Sequence, residues 1–581
     1  MNIEGRVVAV VGGLIVVAPI GFVEAELHVA AGAVGRERGG IIGEVQFKVI
    51  GAGEDADVGA VNDGVVTVGR RCGRFCKPIS DLSITHISHR ERRWDKLQVQ
   101  QIEFGRSKKL SEKHQTSDEQ WAVEEFGRVE LNDERLNWRC QHLAIALAQQ
   151  PEAPINQACE DWADTKAAYR FFKNKKVTPE GIQAPHQQRT VERMSKQELV
   201  LAIQDTTFFN FTHHPQTEDL GLVGNKKGHQ RGFGMHSTLA TTSAGTPLGL
   251  LTQAFFSRAV DEPSHQPKEV RKLPIEEKES YRWIEAFEQT LNLTPAGVEV
   301  ITVCDREADI YEMFVLAQEK KAKLLVRAAT DRLLVKDEEV RKLWQKVEQQ
   351  AIAGHLTVEI ADNKQQAARQ ARVSVRFSQV SLKPPWRPNK KNLPVVTLNA
   401  ILVREENPPD DVKEPIEWLL LTNLPVTNFD EAVQVVQWYC CRWQIELFHK
   451  VIKSGCTVEE SRLKTADRLQ KYIALMGVIA WRIHWLTYLN RSDPDLPCTT
   501  ILTVTEWQAL YMRIHHTTSL PQTPPTVRQA VRWIAQLGGF LGRKGDGEPG
   551  IVVVWRGWHR LQDIAATWYL VKDQTQLVGN R

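Results

Sequence analysis

Apolar residues change their spacing along the chain, and each change marks a different kind of element. From 118 to 192, Trp121, Phe126, Leu131, Leu136, Leu143, Ile145 and Leu147 are spaced for amphipathic helix faces. Asn132-Asp133-Glu134-Arg135 and Asp164-Thr165-Lys166 offer helix starts. From 199 the pattern turns to short continuous apolar runs. Those at 199–203, 236–242, 247–256, 298–304 and 323–328 predict strands, with helices at 280–292 and 310–318. The order is β-β-β-α-β-α-β. The first run ends at Gln204-Asp205 and the fourth at Asp305, so two strand ends each deliver an aspartate. Residues 335–425 break the alternation. Strand-like runs at 372–377, 395–403 and 416–422 surround a basic, proline-rich stretch, KPPWRPNKK (383–391), and read as a β-rich insertion. One long helix is predicted over 429–453, starting near Asp430. A mostly helical tail follows at 465–581, broken at 492–500, 520–525 and 538–550.

Residues 1–80 are unlike the rest. They are rich in Gly, Val and Ala and sustain no helical period. The uncharged run at 7–23 (VVAVVGGLIVVAPIGFV) is at the short limit for a membrane span and would suit a signal-peptide core. Against both, Glu4 offsets Arg6, while Gly12, Gly13 and Pro19 lie inside the run and Glu24 and Glu26 follow it. Two readings remain, a small β-rich domain and a translated extension ahead of a true start. The extension is the expectation, although the next methionine is Met194, so that start would need another codon. Residues 81–117 are polar and basic and read as linker.

Composition narrows the class. Apolar residues make up 42% and charged residues 25% of 581, which excludes a disordered, collagen-like or polytopic membrane chain. Lys and Arg number 74 against 71 Asp and Glu, a net charge of +3, so any DNA-binding surface must be local. The nine cysteines are thinly spread without paired CxxC spacing, and read as reduced thiols of a cytosolic protein. Cys72 and Cys76 form a lone CxxxC, and Cys440 and Cys441 read as packing residues.

Two stretches carry candidate chemistry. In AAYRFFKNKK (167–176), Tyr169, Phe171 and Phe172 alternate with Arg170, Lys173, Lys175 and Lys176. Such a helix lies on DNA, or else its aromatics are core and its lysines a solvated face. In WYCCRWQIELFHKVIKSGC (438–456), Tyr439, Arg442, Glu446, Lys450 and Lys453 follow at +3, +4, +4 and +3, which puts them on one helix face. That face is either a catalytic surface or a solvated one built on the Glu446–Lys450 pair. Asp205, Asp305 and Glu446 change the weighing. Three carboxylates from separated elements could hold Mg²⁺, and two such ions about 3.5–4 Å apart activate an attacking oxygen and stabilise a leaving one. The neighbouring cations would hold DNA phosphates in register. Glu307 and Asp309 are assigned to local structure, with a water-mediated metal contact open to Glu307. His213, His214, His229 and His236 lack zinc spacing and read as structural or DNA-facing.

The chain resembles the insertion-sequence-four family of DDE transposases, close to the transposon-five type. The resemblance is carried by LAIQDTTFFNF around Asp205, VCDREADIYEMF around Asp305, IEWLLLTNLPV (416–426) and the spacing Tyr439-(x2)-Arg442-(x3)-Glu446-(x3)-Lys450. AAYRFFKN (167–174), LGGF (537–540) and WRGWHRLQDI (555–564) extend it over about 118–575. It implies an α/β fold: an RNase-H-like catalytic core with a β-rich insertion, flanked by a helical N-terminal DNA-binding domain and a helical C-terminal dimerisation domain. The expected division is an extension and linker at 1–117, DNA-binding domain 118–192, catalytic domain 193–464 with insertion 335–425, and dimerisation domain 465–581. It further implies two Mg²⁺ ions, or Mn²⁺, on Asp205, Asp305 and Glu446. Tyr439, Arg442, Lys450 and Lys453 are expected on end phosphates, Trp418 and Trp443 around a flipped base, and Arg170 on DNA. The implied activity is cut-and-paste transposition of double-stranded DNA through a hairpin, by a synaptic homodimer in the bacterial cytoplasm, at the nucleoid and without a membrane. The first 115 residues or so have no counterpart in the family, and 132–135 replaces a usually more basic stretch. Two rival readings are a DNA-binding regulator without transposition and a general metal-dependent nuclease.

Overall fold

The computed structural model describes residues 117–578 apart from 160, 225–229, 259–272, 336–339, 361–368, 388–392, 411 and 413, with 569–578 as backbone, together with the backbone of five strands between 2 and 69. The chain divides into two units, 1–106 and 107–581.

In the first unit, β1 (Asn2–Ile3), β2 (Arg6–Val11) and β3 (Leu14–Pro19) form an antiparallel sheet, and β4 (Ile42–Phe47) pairs with β5 (Gly64–Gly69). Arg6 faces Pro19 and Val11 faces Leu14, so most of the long apolar run is a strand pair. Among the described residues no helix is long and apolar enough to cross a membrane. Cys72, Cys76 and the linker assigned to 81–117 lie outside the described residues, except Ser117, which begins the first helix.

The second unit opens with helices Ser117–Phe126, Glu134–Gln149, Ile155–Ala158, Trp162–Lys173 and Pro179–Met194. Asp133 caps the second, accepting from the Arg135 N–H, as the 132–135 signal predicts. The helix predicted to start at Asp164 begins earlier, because Asp161 is the cap and accepts from the Asp164 N–H at 2.7 Å. Phe126, Leu131, Leu143, Leu147, Phe171 and Phe172 are buried in one core.

Among the described residues, the central sheet has ten strands. Its first part comprises β6 (Leu199–Asn210), β7 (Gly221–Leu222), β8 (Arg231–Thr242), β9 (Pro247–Phe256), β10 (Glu299–Cys304) and β11 (Lys323–Arg327). The spatial order is β9-β8-β6-β10-β11; the first three are antiparallel, and β10 and β11 run parallel to β6. Helices Tyr281–Leu293 and Tyr311–Lys320 make the crossovers. This is the RNase-H-like arrangement of a mixed α/β fold.

The insertion does not stand apart from that sheet. Its strands β12 (Gly354–Ile360), β13 (Arg369–Leu382), β14 (Val396–Glu405) and β15 (Glu417–Thr422) continue it beyond β11. β15 pairs antiparallel with β11, Leu325 facing Thr422, which covers an otherwise open edge of backbone donors and acceptors.

Two expectations are corrected. Asp205 is not at the end of its strand, because β6 runs on to Asn210 against β8, where Asn210 faces Gly232. The β-branched and aromatic residues Thr206, Thr207, Phe208 and Phe209 favour that extension. The long helix over 429–453 is broken into Phe429–Cys440, Trp443–Lys450 and a π turn, Val451–Gly455. At the first break the Cys441 N–H is shared by the carbonyls of Gln437, Trp438 and Tyr439, which shifts the phase of the helix.

The tail is helical as predicted. Ala466–Ser492 is buried on nearly every side and packs on Pro179–Met194, β9 and the π turn. Val504–His515, Val527–Leu537 and Ile551–Val578 complete it, the first two opened by capping boxes at Thr503/Glu506 and Thr526/Gln529. Gly557 lets the last two approach: a Cβ there would sit 1.6 Å from the Ile534 carbonyl oxygen.

Candidate active site

Parallel pairing sets the first relationship in the site. β6 and β10 run in register from Leu199 beside Glu299 to Gln204 beside Cys304, and each strand next contributes an aspartate. Asp205 and Asp305 therefore stand together where the parallel pairing ends. The Thr206 N–H donates to Asp205 Oδ1 at 2.8 Å. Asp305 caps a 3₁₀ turn, Arg306–Ala308, and accepts from the Glu307 N–H at 2.8 Å. Asp309 faces elsewhere; it accepts from the Ala329 and Thr330 N–H groups and from Arg332, a local role as expected. Glu307 is exposed and lies 3.7 Å from Arg282.

The third carboxylate arrives on the helix Trp443–Lys450. Glu446 accepts from Arg442 Nη2, and Arg442 Nη1 lies 3.8 Å from Asp205 Oδ2. The guanidinium sits 5.9 Å from the Tyr439 ring centroid, and Trp418 meets Tyr439 edge-on at 5.2 Å. Tyr439 is 4% exposed, so it does not share a solvent face with Glu446; the helix break turns its ring into the core beneath Arg442. Lys453 Nζ lies 5.7 Å from the ring of Phe209, four residues beyond Asp205. Lys450 is exposed and lines a small crevice with Glu152, Ser454 and Arg556. Trp443 is 38% exposed. The structure thus gathers Arg442 and Glu446 near Asp205, places Lys453 further along β6 at Phe209, and sends Tyr439 inward.

Burial raises the Asp205 pKa, Arg442 opposes the rise, and Asp305 and Glu446 add to it, leaving the group at about 7. Half-buried carboxylates that repel one another call for a cation. Three hard oxygen donors fit Mg²⁺ or Mn²⁺ by chemistry. Among the described residues, however, no three His, Cys, Asp or Glu side chains are gathered closely enough to hold a metal ion. The charge lying between Asp205 and Glu446 is the Arg442 guanidinium.

Sequence reasoning missed His449 and left His236 between a structural and a DNA-facing role. His449 is buried with Nδ1 4.0 Å from Asp205 Oδ2, and burial, with Lys453 and Arg442, drives its pKa to about 3. His236 is fully buried, and its Nδ1 is 2.8 Å from Thr206 Oγ1. Its pKa also falls to about 3, through burial and the charges of Arg282 and His449. Burial and neighbouring cations disfavour the charged form of both rings. The Glu446-x-x-His449 spacing, two residues three apart on one helix face, was the available signal. His236 and His214 are structural; His214 Nε2 is 2.9 Å from the Glu459 carbonyl oxygen. His213 is exposed, and His229 lies outside the described residues.

At the N-terminal helices, the aromatic and basic residues of 167–176 separate. Phe171 and Phe172 are core, while Tyr169 (42% exposed), Arg170, Lys173, Lys175 and Lys176 face outward. Trp162, 77% exposed on the same helix, adds a second free ring.

Three family models match the chain in succession. Residues 118–177 match Transposase DNA-binding, 284–482 match Transposase DDE domain, and 478–571 match Transposase Tn5 dimerisation domain. The DDE match contains Asp305 and Glu446 and begins beyond Asp205. The last two matches overlap inside the single helix Ala466–Ser492.

Proposed function

Because the chain belongs to the Tn5-type DDE transposases, we propose that it moves DNA by cut-and-paste transposition, with Asp205, Asp305 and Glu446 as its metal ligands. It is a metal-dependent enzyme of DNA cleavage and strand transfer that carries DNA-binding and dimerisation domains. The observation that supports these three ligands is the parallel register of Gln204 with Cys304, together with the Arg442 link from Asp205 to Glu446.

Two divalent ions on these carboxylates, Mg²⁺ or Mn²⁺, would activate the attacking oxygen and stabilise the leaving one at phosphorus. The chain's own residues position the DNA. Arg442, Lys450 and Lys453 hold backbone phosphates near the scissile bond, and Tyr439 supports Arg442 from below. Hydrolysis frees a 3′-hydroxyl at each element end; that hydroxyl attacks the opposite strand to close a hairpin. A tight hairpin leaves one base unstacked, and Trp418 with Trp443 would receive it. After hairpin opening the 3′-hydroxyl attacks the target. Arg170 and its neighbours bind the ends, and two protomers pair them in a synaptic complex, acting on nucleoid DNA in the cytoplasm.

The test is a supercoiled plasmid carrying the gene and its flanking DNA, incubated with protein and Mg²⁺ beside the Glu446→Gln form. Excision at two discrete flanking points by wild type alone is expected. Binding without cleavage by both forms would favour a DNA-binding regulator, and cleavage without fixed end points a general nuclease.

A further inference from the structure

Arg442 makes two contacts that oppose a cation at the same carboxylates. Its Nη2 donates to Glu446 Oε1, its Nη1 is 3.8 Å from Asp205 Oδ2, and its side chain is only 17% exposed. An oxygen that receives an N–H has a lone pair directed at that donor. A divalent cation needs the same lone pairs, and a fixed positive charge within about 4 Å opposes its approach. Guanidinium and metal are therefore competitors for these two side chains.

The other partner of Arg442 is Tyr439: the guanidinium carbon lies 5.9 Å from its ring centroid, and the phenol also hydrogen-bonds it. Trp418 braces that ring at 5.2 Å, so the platform itself is firm. The backbone at 441–442 lies between two helices, outside either regular ladder. Lys453 rests over Phe209 instead, and Lys450 lies in the crevice beside Glu152. The alternative partner for a planar fork is a phosphate, which it binds through two parallel hydrogen bonds.

We infer that Arg442 is a releasable lock: it holds Asp205 and Glu446 against divalent ions until a DNA phosphate draws the guanidinium away. Metal loading is thereby tied to DNA engagement, and the DNA-free chain is kept from acting as a free nuclease. The inference rests on the reading of Asp205 and Glu446 as metal ligands.

The experiment is Mn²⁺ binding to the full chain without DNA, followed by electron paramagnetic resonance of the free ion. Wild type is compared with Arg442→Gln, Arg442→Lys, Asp205→Asn and Glu446→Gln. Arg442→Gln should bind Mn²⁺ roughly tenfold more tightly than wild type, the scale expected on removing a charge at this distance. Arg442→Lys, which keeps the charge, should stay within about twofold of wild type. Equal or weaker binding by Arg442→Gln, with binding lost in Asp205→Asn, would overturn the lock and leave the metal site standing. Unchanged binding in both Asp205→Asn and Glu446→Gln would overturn the metal-site reading and the lock with it. Should Arg442→Gln fail to show wild-type circular dichroism, Arg442→Met takes its place. A short duplex of flanking DNA added at low salt should tighten Mn²⁺ binding by wild type and not by Arg442→Gln; equal tightening of both would overturn the release step.

Discussion

Asp205 and Asp305 stand side by side because Gln204 and Cys304 are paired partners on parallel strands. The closeness has an energetic cost, since burial, Asp305 and Glu446 all raise the Asp205 pKa against Arg442. Removing one of the charges should therefore stabilise the DNA-free fold. Asp305→Asn keeps the cap on the Glu307 N–H, because Asn caps as well as Asp. The variant should lose strand cleavage while its melting midpoint rises by about 2 °C, the shift that about 1 kcal/mol produces in a chain of this size. Differential scanning fluorimetry beside a nicking assay checks this. A midpoint that falls would mean that Asp305 holds the turn rather than the charge of the site.

Trp418 has a structural partner as well as a proposed base. It meets the buried Tyr439 at 5.2 Å, and Tyr439 carries Arg442. Trp418→Ala should slow hairpin closure more than first-strand nicking, by at least about tenfold, because stacking on one base is worth roughly 1–3 kcal/mol. Trp418→Phe keeps an aromatic face against Tyr439 and should recover most of the nicking rate. Single-turnover gels that resolve nick from hairpin give the comparison. Equal slowing of both steps by Trp418→Ala would make the residue a brace and no more.

The order of elements along the chain, the insertion and the helical ends could be read from apolar spacing, because each is set by local period and by caps such as Asp133. The three proposed carboxylates could be chosen from spacing and resemblance. Their grouping could not, because register is a long-range property: nothing near Gln204 announces Cys304. The break at 441–442 escaped for a similar reason. No Pro or Gly marks it, and it is imposed by burying Tyr439 under Arg442 while Glu446 stays at the surface of the site. The contacts of His236 could not be read, because Thr206 and Trp283 reach it from other elements.

A buried ion pair joins the first helix to the rest of the unit. Glu125, 2% exposed, accepts from Arg193 Nη1 at 2.6 Å and from His186 Nδ1 at 2.5 Å. His186 Nε2 accepts from the Leu250 N–H at 3.0 Å, so the ring is neutral with its proton on Nδ1, in line with a pKa lowered by burial. Burial would raise Glu125, but the hydrogen bonds from His186 and Arg193 and the Arg193 charge more than offset it and hold the carboxyl below its ordinary 4.5. A depressed carboxyl contributes stability above pH 4.5 and loses it as pH falls from there. Wild type should therefore lose its margin over Glu125→Gln across that window, with the margin at neutral pH on the order of 2–4 kcal/mol. Melting curves of both forms from pH 7 to pH 3 measure it. A margin independent of pH would show that the packing of the side chain, and not its charge, joins the helix.

Arg170 tests the outer face of the N-terminal helices. It is exposed beside Tyr169 and Lys173, while the adjoining Phe171 and Phe172 are core. With nothing buried to lose, Arg170→Ala should leave the melting midpoint nearly unchanged, within about 0.5 kcal/mol. If Arg170 neutralises a phosphate, binding to end DNA should weaken, and the slope of log affinity against log salt should become shallower by about 0.9. Phe171→Ala should do the reverse, destabilising the helices by about 3–5 kcal/mol through a core cavity. Fluorescence anisotropy on a labelled duplex from 50 to 300 mM salt separates the two. A salt slope equal to wild type in Arg170→Ala would take the residue off the DNA, and would move the interface toward Trp162 or to another face of the helices.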